Sequence, residues 1–514
     1  MFLLGHFIKT GIRLGATRPE PRRSPVTQQK KTLIRLLTEA GNTAFGRQYN
    51  FSRILTHPDP VRAFQAAVPI HDYDKMYDAW WSRSRNDEPD VCWPGQVPWF
   101  ALSSGTSNAA SKYIPVTPDI IRSMKKVSRR LFCDMAHFDL PADLFTKQML
   151  MVGSCTNLTP ELGHWVGDMS GIIGLNRPFW LKKYYRPGRE ITAIPEWSDR
   201  IEQIAASAPL WDIGFIVGNV AWVQMIFERI IEKHRLNHIH EIWPNFSLLV
   251  HGGIFFEPYR QTFEQLLGKP VQYVDSYMAS EGFFAYQPGP ESRLLRLITD
   301  AGIFYEFVPF NEQHFDENGN LYPDARAVAF AEVEPDQAYA LVLSSDAGAW
   351  RYVLGDTVEF SDVKKGAFKI TGRIKHFLSV VGEHLSVDNM NTAIRQTDLC
   401  LNAGVKEFAV TAVKNGSHWA HQWYVSADNP NLNTTAFAAA LDAALMEIND
   451  DYRVERQYAL RDIRVELLPH EIFYRWLEEH GKMNGQAKVP RVMKGAVQQN
   501  WETFLQRVAK ASKS

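Results

Sequence analysis

Hydrophobic and polar residues form different patterns in successive parts of the chain. Over roughly the first 90 residues, apolar residues recur at helical spacing, as in LIRLLTEAG, where Gly41 marks a helix end. Between about 118 and 280, amphipathic runs alternate with short apolar runs such as QMLMV from residue 148 and FSLLV from residue 246. Strands that alternate with helices predict a parallel sheet with helical crossovers.

The pattern changes near residue 300. The runs IFYEFVP, AVAFAEV, YALVL and TVEF follow one another with turns between them. They predict a small antiparallel, β-barrel-like sheet. We therefore predict an α/β protein with a large N-terminal domain (residues 1–375) that combines mixed or parallel sheets, helices and the barrel-like sheet. A smaller, mobile α+β C-terminal domain (residues 376–514) follows.

Composition narrows the class of protein. The chain has 514 residues, 45% hydrophobic and 22% charged, with a formal net charge of -1. Near-neutral charge and the lack of an 18-residue apolar run argue against nucleic-acid and membrane partners. The four cysteines lack metal-binding spacing, and MFLLGHFIKTGIRLG predicts an amphipathic helix, not a signal peptide. We therefore expect reduced thiols and a cytoplasmic protein.

One hydroxyl-rich run suggests anion binding. Ser103-Ser104-Gly105-Thr106-Ser107 follows a predicted strand end and precedes Lys112 and a Thr-Pro-Asp helix start. Hydroxyls, backbone N–H groups and a glycine suit a loop that wraps phosphate, and the lysine adds positive charge. The run is not a P-loop, because Ala110 and Ser111 stand where that motif requires glycine and lysine. Taken alone, it also fits an ordinary surface loop.

Three further polar stretches lie at predicted strand ends. In DSYMASEG, Glu281 suits a magnesium ion bound to phosphates. In GAWRYVLGDT, Asp356 suits ribose hydroxyls, and in ITGRIKH, Arg373 lies in a basic stretch that suits a hinge. A capped turn, a plain β-turn and a basic linker are the alternative explanations.

Five motifs together resemble one enzyme family. The runs SSGTS…KYIP, SYMASE, GAWRYVLGD, TGRIKHF and QAKVPR occur in the order found in the Gretchen Hagen acyl acid amido synthetases. These auxin-responsive, amide-forming enzymes belong to the acyl-adenylate-forming superfamily. The resemblance covers about residues 30 to 510. It implies that a carboxylic acid reacts with ATP to give an acyl-adenylate and pyrophosphate, and that an amine, usually of an amino acid, then forms the amide and releases AMP.

The resemblance also implies ATP and Mg²⁺ as cofactors, a monomer acting on small molecules, and a set of site residues. It makes Thr106, Glu281 and Lys488 catalytic, with Glu281 on magnesium and Lys488 stabilising negative charge during adenylation. Asp356 would bind the ribose hydroxyls, and Arg373 would lie at the hinge. The residues implied to bind the nucleotide are Ser103, Ser104, Gly105, Thr106, Ser107, Lys112, Gly252, Gly253, Tyr277, Met278, Ala279, Ser280, Glu281, Asp356, Arg373 and Lys488.

Three positions depart from the family pattern. Ala109 replaces a common glycine, Val353 a usual arginine and His384 a frequent lysine. These changes do not affect the residues that the resemblance implies for adenylation. They leave open how the protein uses the acceptor. The alternatives are an acyl-CoA-type ligase with a thiol acceptor and a non-catalytic acyl-adenylate-binding protein.

Tryptophans suggest the character of the acid. They fall in the region expected to wall the acyl pocket, which predicts an aromatic or hydrophobic acid. The four tryptophans concerned are Trp165, Trp180, Trp211 and Trp222.

Overall fold

The structure is a computed structural model. It describes residues 9–11, 24–103, 112–153, 155–177, 183–253, 256–316, 319–374, 378, 383, 385–415, 418–449, 452–453, 456, 460–480 and 489–511. Predicted site residues Ser104 to Ser107 and Lys488 lie outside the described residues, as do Ala109, Trp180 and His384.

The described part of the first 90 residues is helical, as predicted. Helix α1 (Pro25–Glu39) begins after Ser24, whose hydroxyl accepts a hydrogen bond from the Thr27 N–H. Its buried leucines recur at a spacing of three to four residues and face the core. The helices that follow are α2 (Ala44–Gln48), α3 (Phe51–Leu55), α4 (Pro60–Ala67), α5 (Tyr73–Met76) and α6 (Ser82–Arg85), with a π-helical turn (Tyr77–Trp81) joining the last two.

The later helices lie between and beyond the strands. They are α7 (Pro118–Asp134), α8 (Met169–Leu175), α9 (Arg189–Thr192), α10 (Trp197–Ser207), α11 (Val220–His234), α12 (Glu257–Leu266), α13 (Val387–Leu401), α14 (Thr434–Ile448), α15 (His470–Glu479) and α16 (Gly495–Ala511). The strands are β1 (Trp99–Ser103), β2 (Lys112–Val116), β3 (Gln148–Val152), β4 (Thr159–Glu161), β5 (His164–Gly167), β6 (Tyr185–Arg186), β7 (Ile213–Gly218), β8 (Leu248–Gly252), β9 (Gln272–Ala279), β10 (Gly282–Tyr286), β11 (Leu295–Leu297), β12 (Ile303–Pro309), β13 (Val328–Ala329), β14 (Ala338–Ser345), β15 (Tyr352–Asp362), β16 (Ala367–Arg373), β17 (Val405–Asn415), β18 (His418–Ala427) and β19 (Leu460–Leu467).

One large sheet organises most of the chain. Among the described residues its order is β13-β12-β14-β15-β16-β11-β10-β9-β8-β7-β3-β6. Strands β6, β3, β7, β8 and β9 are parallel, as the strand–helix alternation predicted. One prediction was wrong in part. The antiparallel strands after residue 300 do not form a separate barrel-like sheet, because β11 pairs with both β10 and β16 and so joins them to the parallel strands.

Two smaller sheets complete the described fold. In a sheet of order β2-β1-β5-β4, Ser103, the first residue of the hydroxyl-rich run, ends β1. Helix α8 packs against β1. Strands β17, β18 and β19 form the C-terminal sheet. One hydrophobic cluster packs this sheet against α13 and α14, and a second cluster packs it against α15 and α16. The α+β C-terminal domain is therefore confirmed. The boundary at residue 375 and the domain's mobility stay predictions.

No helix within the described ranges is long and apolar enough to cross a membrane.

A buried ion pair joins the N-terminal helices to the large sheet. Arg351, directly before β15, places Nη2 2.9 Å from Oε1 of Glu306 on β12. Glu306 is fully buried, and Arg351 is 5% exposed. Nε of Arg351 also donates to Glu306, and Nη1 donates to the carbonyl of Val68, just beyond α4, at 2.6 Å. Charge neutralisation and hydrogen bonds therefore compensate for the burial of both ions.

We predict that Glu306→Gln lowers the free energy of unfolding by about 3 to 5 kcal/mol, because it leaves the Arg351 charge buried without a counter-charge. Urea unfolding followed by tryptophan fluorescence measures the change. The control is Lys365→Gln, which breaks the exposed pair with Asp362 and should alter stability by about 0.5 kcal/mol or less. Equal unfolding midpoints for the two variants would show that the buried pair is dispensable.

Candidate active site

Asp356 is the centre of a hydrogen-bonded cluster on the large sheet. Its Oδ2 accepts from the Tyr277 hydroxyl at 2.6 Å, and its Oδ1 accepts from Arg373 Nε at 2.8 Å. Asp356 and Arg373 are opposite each other in the β15–β16 ladder. Tyr277 lies on β9, four strand positions away from β15 in the pairing order. Those positions would span about 19 Å in a flat sheet, so the sheet must curl to bring the side chains together.

This cluster leaves hydrogen-bonding capacity for a ligand. An ionised carboxylate offers about four acceptor positions, and Tyr277 and Arg373 use one on each oxygen of Asp356. The Arg373 side chain is 42% exposed, whereas that of Asp356 is 14% exposed. A pair of adjacent hydroxyls, as on ribose, therefore fits the remaining acceptor positions.

Glu281 is a buried carboxyl group in the tight turn between β9 and β10. It is 6% exposed, and the Tyr352 hydroxyl interacts with it. Burial raises the pKa of Glu281 to about 6, and the positive charge of Lys112 acts in the opposite direction. Within the described part of the chain, no group of three His, Cys, Asp or Glu side chains could hold a metal alone. A single carboxylate instead fits a magnesium ion that arrives with phosphate ligands.

Lys112 is placed by the hairpin that carries the hydroxyl-rich run. It begins β2 and lies opposite Ser103, the last residue of β1. The hydroxyl of Tyr73 accepts a hydrogen bond from the Tyr113 N–H at 2.8 Å, and the Tyr73 ring centre lies 5.1 Å from Lys112 Nζ. Ser103, the first residue of the run, and Lys112, which follows the run, thus lie on paired strands. The positive charge of Lys112 also acts on the Glu281 carboxyl group.

The ends of β8 and β9 are packed closely. A Cβ atom at Gly252 would lie 2.2 Å from the Ser276 carbonyl oxygen, so only glycine fits there. The Ser276 hydroxyl donates to the His251 carbonyl at 2.7 Å, and Gly253 has a φ of 85°. Close packing accounts for Gly252 without a ligand.

The remaining predicted residues lie on the end of β9. Met278 is 42% exposed, Ala279 is partly buried and Ser280 is buried beside Glu281. The structure therefore brings together Tyr277, Asp356 and Arg373 through hydrogen bonds, and the charges of Lys112, Asp356 and Arg373 act on Glu281. Nucleotide contacts of the other predicted residues stay predictions.

Sequence reasoning missed two tyrosines that support the site. Tyr352 lies inside the run GAWRYVLGD, four residues before Asp356, and nothing in that run indicates that its hydroxyl reaches Glu281. Tyr73 lies in a helix far from the motifs, and nothing in its local sequence indicates that it reaches Lys112. The departure at Val353 has a structural explanation, because this side chain packs against an apolar cluster that includes Val342 and Ile374.

The tryptophans predicted to wall an acyl pocket occupy different environments. Trp211 and Trp222 are buried in a hydrophobic cluster with α10 and α11, where Trp222 meets Trp197 edge-on at 4.0 Å. Trp165 is 50% exposed. Core packing explains the first two, so they do not define the acid.

The fold resembles those of known structures over nearly its full length. A GH3.15 acyl acid amido synthetase structure has a TM-score of 0.74 at 15% identity, covering 94% of this chain and 93% of that one. A 2-hydroxyisobutyryl-CoA ligase in the postadenylation state has a TM-score of 0.57 at 12% identity, covering 97% of each chain. The fold is thus that of the acyl-adenylate-forming enzymes.

The family follows from matches to its domains. The GH3 family N-terminal domain matches residues 20–192, the central domain residues 296–373 and the C-terminal domain residues 388–496. The chain belongs to the GH3 family, which confirms the resemblance inferred from the five motifs. It is 21% identical over 447 residues to indole-3-acetic acid-amido synthetase GH3.2 of Arabidopsis thaliana, covering 73% of this chain and 79% of that protein.

We predict that Tyr277→Phe weakens ATP binding about 10- to 100-fold, because a hydrogen bond to a charged group contributes about 1.5 to 3 kcal/mol. Titration calorimetry with ATP and magnesium measures the affinity. Tyr286→Phe is a matched control: the Tyr286 hydroxyl donates to Asp134 at 2.7 Å, beside Arg296. Similar losses in both variants would mean that the Asp356 cluster is structural and does not bind the nucleotide.

Proposed function

We propose that the protein is an ATP-dependent acyl acid amido synthetase. It converts a small carboxylic acid to an acyl-adenylate with release of pyrophosphate, then transfers the acyl group to an amine, an amino acid by preference, with release of AMP. The observation that carries this proposal is the convergence of Tyr277, Asp356 and Arg373 beside the buried Glu281, in a chain of the GH3 family.

The proposed roles follow from charge and hydrogen bonding. Attack of a carboxylate on a phosphate brings two anions together, so the site must position them and neutralise their charge. Asp356 binds the ribose hydroxyls and is oriented by Tyr277 and Arg373. Lys112 and the run from Ser103 to Ser107, Thr106 included, hold phosphate, and Lys488 stabilises charge during adenylation.

Magnesium is proposed to enter with ATP. Glu281 supplies the protein ligand, since its carboxyl group is buried beside the site and hard oxygen ligands suit this ion. The bound cation neutralises phosphate charge, and the phosphates and water complete its coordination. Tyr352 keeps the Glu281 carboxylate oriented.

The proposed acid rests on the relatives, and the proposed cellular compartment rests on the cysteines. One relative is named for indole-3-acetic acid, and a GH3.15 structure with a TM-score of 0.74 is a complex with 2,4-DB. We propose an acid with an aromatic or hydrophobic body for this chain. All four cysteines are free, which suits a reducing, cytoplasmic compartment, and we expect a monomer.

Pyrophosphate exchange tests the adenylation step. We expect labelled pyrophosphate to enter ATP only when an acid is supplied, with indole-3-acetic, benzoic and octanoic acids as first probes. Lys488→Ala should slow this exchange by about 100-fold, through loss of a charge-stabilising group. Lys414→Ala, at an exposed position in the same domain, is the control. Exchange at the wild-type rate in Lys488→Ala would refute the role of Lys488.

Product analysis decides the acceptor, because the CoA ligase fold match keeps a thiol acceptor as the second candidate. The acid that supports exchange is incubated with ATP and either mixed amino acids or coenzyme A. We expect the amide. A thioester as sole product would overturn the amide assignment, and ATP binding without exchange would support the non-catalytic alternative.

We also predict a pH effect from Glu281. Because its pKa is raised to about 6, kcat/KM for ATP in the exchange should fall as pH drops through about 6, where protonation removes the magnesium ligand. Tyr352→Phe deprives the carboxylate of a hydrogen-bond donor, which raises its pKa further and moves the acid limb to higher pH. Titration of ATP itself is common to both proteins and cancels in the comparison. Superimposable pH profiles would contradict the Tyr352–Glu281 assignment.

A further inference from the structure

Arg85 contacts both edges of the sheet that contains Ser103. It is the last residue of α6, and its Nη2 lies 3.0 Å from Oε2 of Glu161, the last residue of β4. Its Cζ lies 3.5 Å from the ring centre of Tyr113 on β2. In the order β2-β1-β5-β4 these two strands are the outer ones, and their backbones would lie about 14 Å apart in a flat sheet. One guanidinium group therefore links the two edges.

The link lies on one face of this sheet. Tyr113 packs against a hydrophobic cluster that contains Phe100 of β1 and Val166 of β5. The rings of Phe100 and His164 meet edge-on with centres 5.2 Å apart, and Glu161 is opposite His164 in the β4–β5 ladder. Because residues opposite each other in a ladder share a face, Tyr113 and Glu161 approach the guanidinium from the same side of the sheet.

An arginine suits this position better than a lysine. Nη1 of Arg85 donates to the Tyr77 hydroxyl at 2.8 Å, and the arginine side chain is 24% exposed. Its Nε is buried without a hydrogen-bond partner in the part of the chain that the structure describes, which fits a guanidinium stacked on an aromatic ring. A planar guanidinium can stack on a ring and pair with a carboxylate at the same time, whereas a lysine presents a single ammonium group.

The link reaches the predicted phosphate-binding residues through Tyr113. This tyrosine directly follows Lys112, which is opposite Ser103 in the β1–β2 ladder. Its ring contacts Arg85, and its N–H donates to the Tyr73 hydroxyl at 2.8 Å. Tyr113 is thus held at both its ring and its backbone. Loss of the Arg85 contact therefore removes one of the restraints on the strand that begins with Lys112.

We propose that Arg85 is a positioning residue, which joins β2 to β4 and so fixes Lys112 and Ser103 where the ATP phosphates bind. Through this link, Glu161 on the far edge of the sheet affects the strand that carries Lys112. The proposal rests on the proposed function in assigning phosphate binding to Lys112 and Ser103. The link between the two edges does not depend on that assignment.

Hydrogen exchange of the full chain without ligands tests the link. Arg85→Met should speed amide exchange in β2 about two- to tenfold, the effect expected when a contact of hydrogen-bond strength is lost. Arg130→Met is the matched control, because it breaks a pair with Asp300 in which the two side chains are 30% and 24% exposed, against 24% and 33% for Arg85 and Glu161. Unchanged exchange in β2 of folded Arg85→Met, or an equal change there in Arg130→Met, would overturn the proposal.

Glu161→Gln provides a second arm in case Arg85→Met does not fold. It removes a charge from the opposite edge of the sheet, and it should speed exchange in β2 although Glu161 lies on β4. In the double variant, exchange in β2 should match that of Arg85→Met, because both substitutions break the same contact. Additive effects, or exchange in β2 that Glu161→Gln leaves unchanged, would contradict the link.

Nucleotide affinity then tests positioning. In titration calorimetry, Arg85→Met and Glu161→Gln should bind ATP with magnesium about three- to tenfold more weakly than the wild type. Adenosine has no phosphate, so its affinity should stay the same, and Arg130→Met should change neither affinity. Unchanged ATP affinity, or equal losses for ATP and adenosine, would overturn the positioning role. If the wild type does not bind ATP, the proposed function fails and the positioning role with it, while hydrogen exchange still decides whether Arg85 links the two edges.

Discussion

The hydrogen bonds that converge on Asp356 depend on the curl of the large sheet. Tyr277 belongs to the parallel part, whereas Asp356 and Arg373 belong to the antiparallel part, and a flat sheet would hold them about 19 Å apart. The strand between β10 and β16 is only three residues long, so few ladder bonds oppose strong twisting there. Continuity and curl are both necessary: a separate antiparallel sheet would have no fixed relation to β9. The candidate site therefore arises where two kinds of strand pairing meet.

Two buried glutamates illustrate how charge is used differently in this fold. Glu306 is fully buried, and Arg351 neutralises its charge directly. Because Arg351 also donates to the carbonyl that follows α4, this ion pair helps to join α4 to the sheet. Glu281 is 6% exposed and interacts with the neutral hydroxyl of Tyr352. Lys112 and Arg373 influence it only through space, and burial raises its pKa to about 6. A carboxylate that is desolvated but not ion-paired gains most from an incoming cation. This contrast favours a structural role for Glu306 and a ligand-binding role for Glu281.

Much of this site could be predicted because its polar residues lie at or near the ends of strands. The positions of Asp356, Glu281 and Arg373 follow from polar residues that interrupt apolar runs. In the structure Tyr277 and Arg373 both donate hydrogen bonds to Asp356, while the nucleotide-binding roles stay predictions. The pairing order could not be predicted in the same way, since Leu295–Leu297 is too short to show alternation and joins two regions far apart in the chain. Tyr73 and Tyr352 were missed because their contacts are tertiary: Tyr73 reaches β2 from helix α5, and Tyr352 interacts with Glu281 from another strand of the large sheet. The roles of Ser104 to Ser107 and of Lys488 stay predictions from family resemblance.

Described residues of the large sheet and its helices contact the C-terminal domain through β16, which packs against α13, and through α12, which packs against β17. Lys369 on β16 pairs with Asp388 of α13 at 3.3 Å, where the two side chains are 40% and 26% exposed. Helix α12 packs against β17 beside a small crevice lined by polar side chains, among them Gln261, Gln265 and Lys406. One link is a partly exposed ion pair and the other a polar interface, and both kinds of contact can form and break with little loss of buried apolar area. The hydrophobic clusters of the C-terminal domain lie within that domain, so a change in its orientation leaves its own core intact. Domain reorientation is thus compatible with stable folding because the contacts that must change are polar and those that maintain the fold are not.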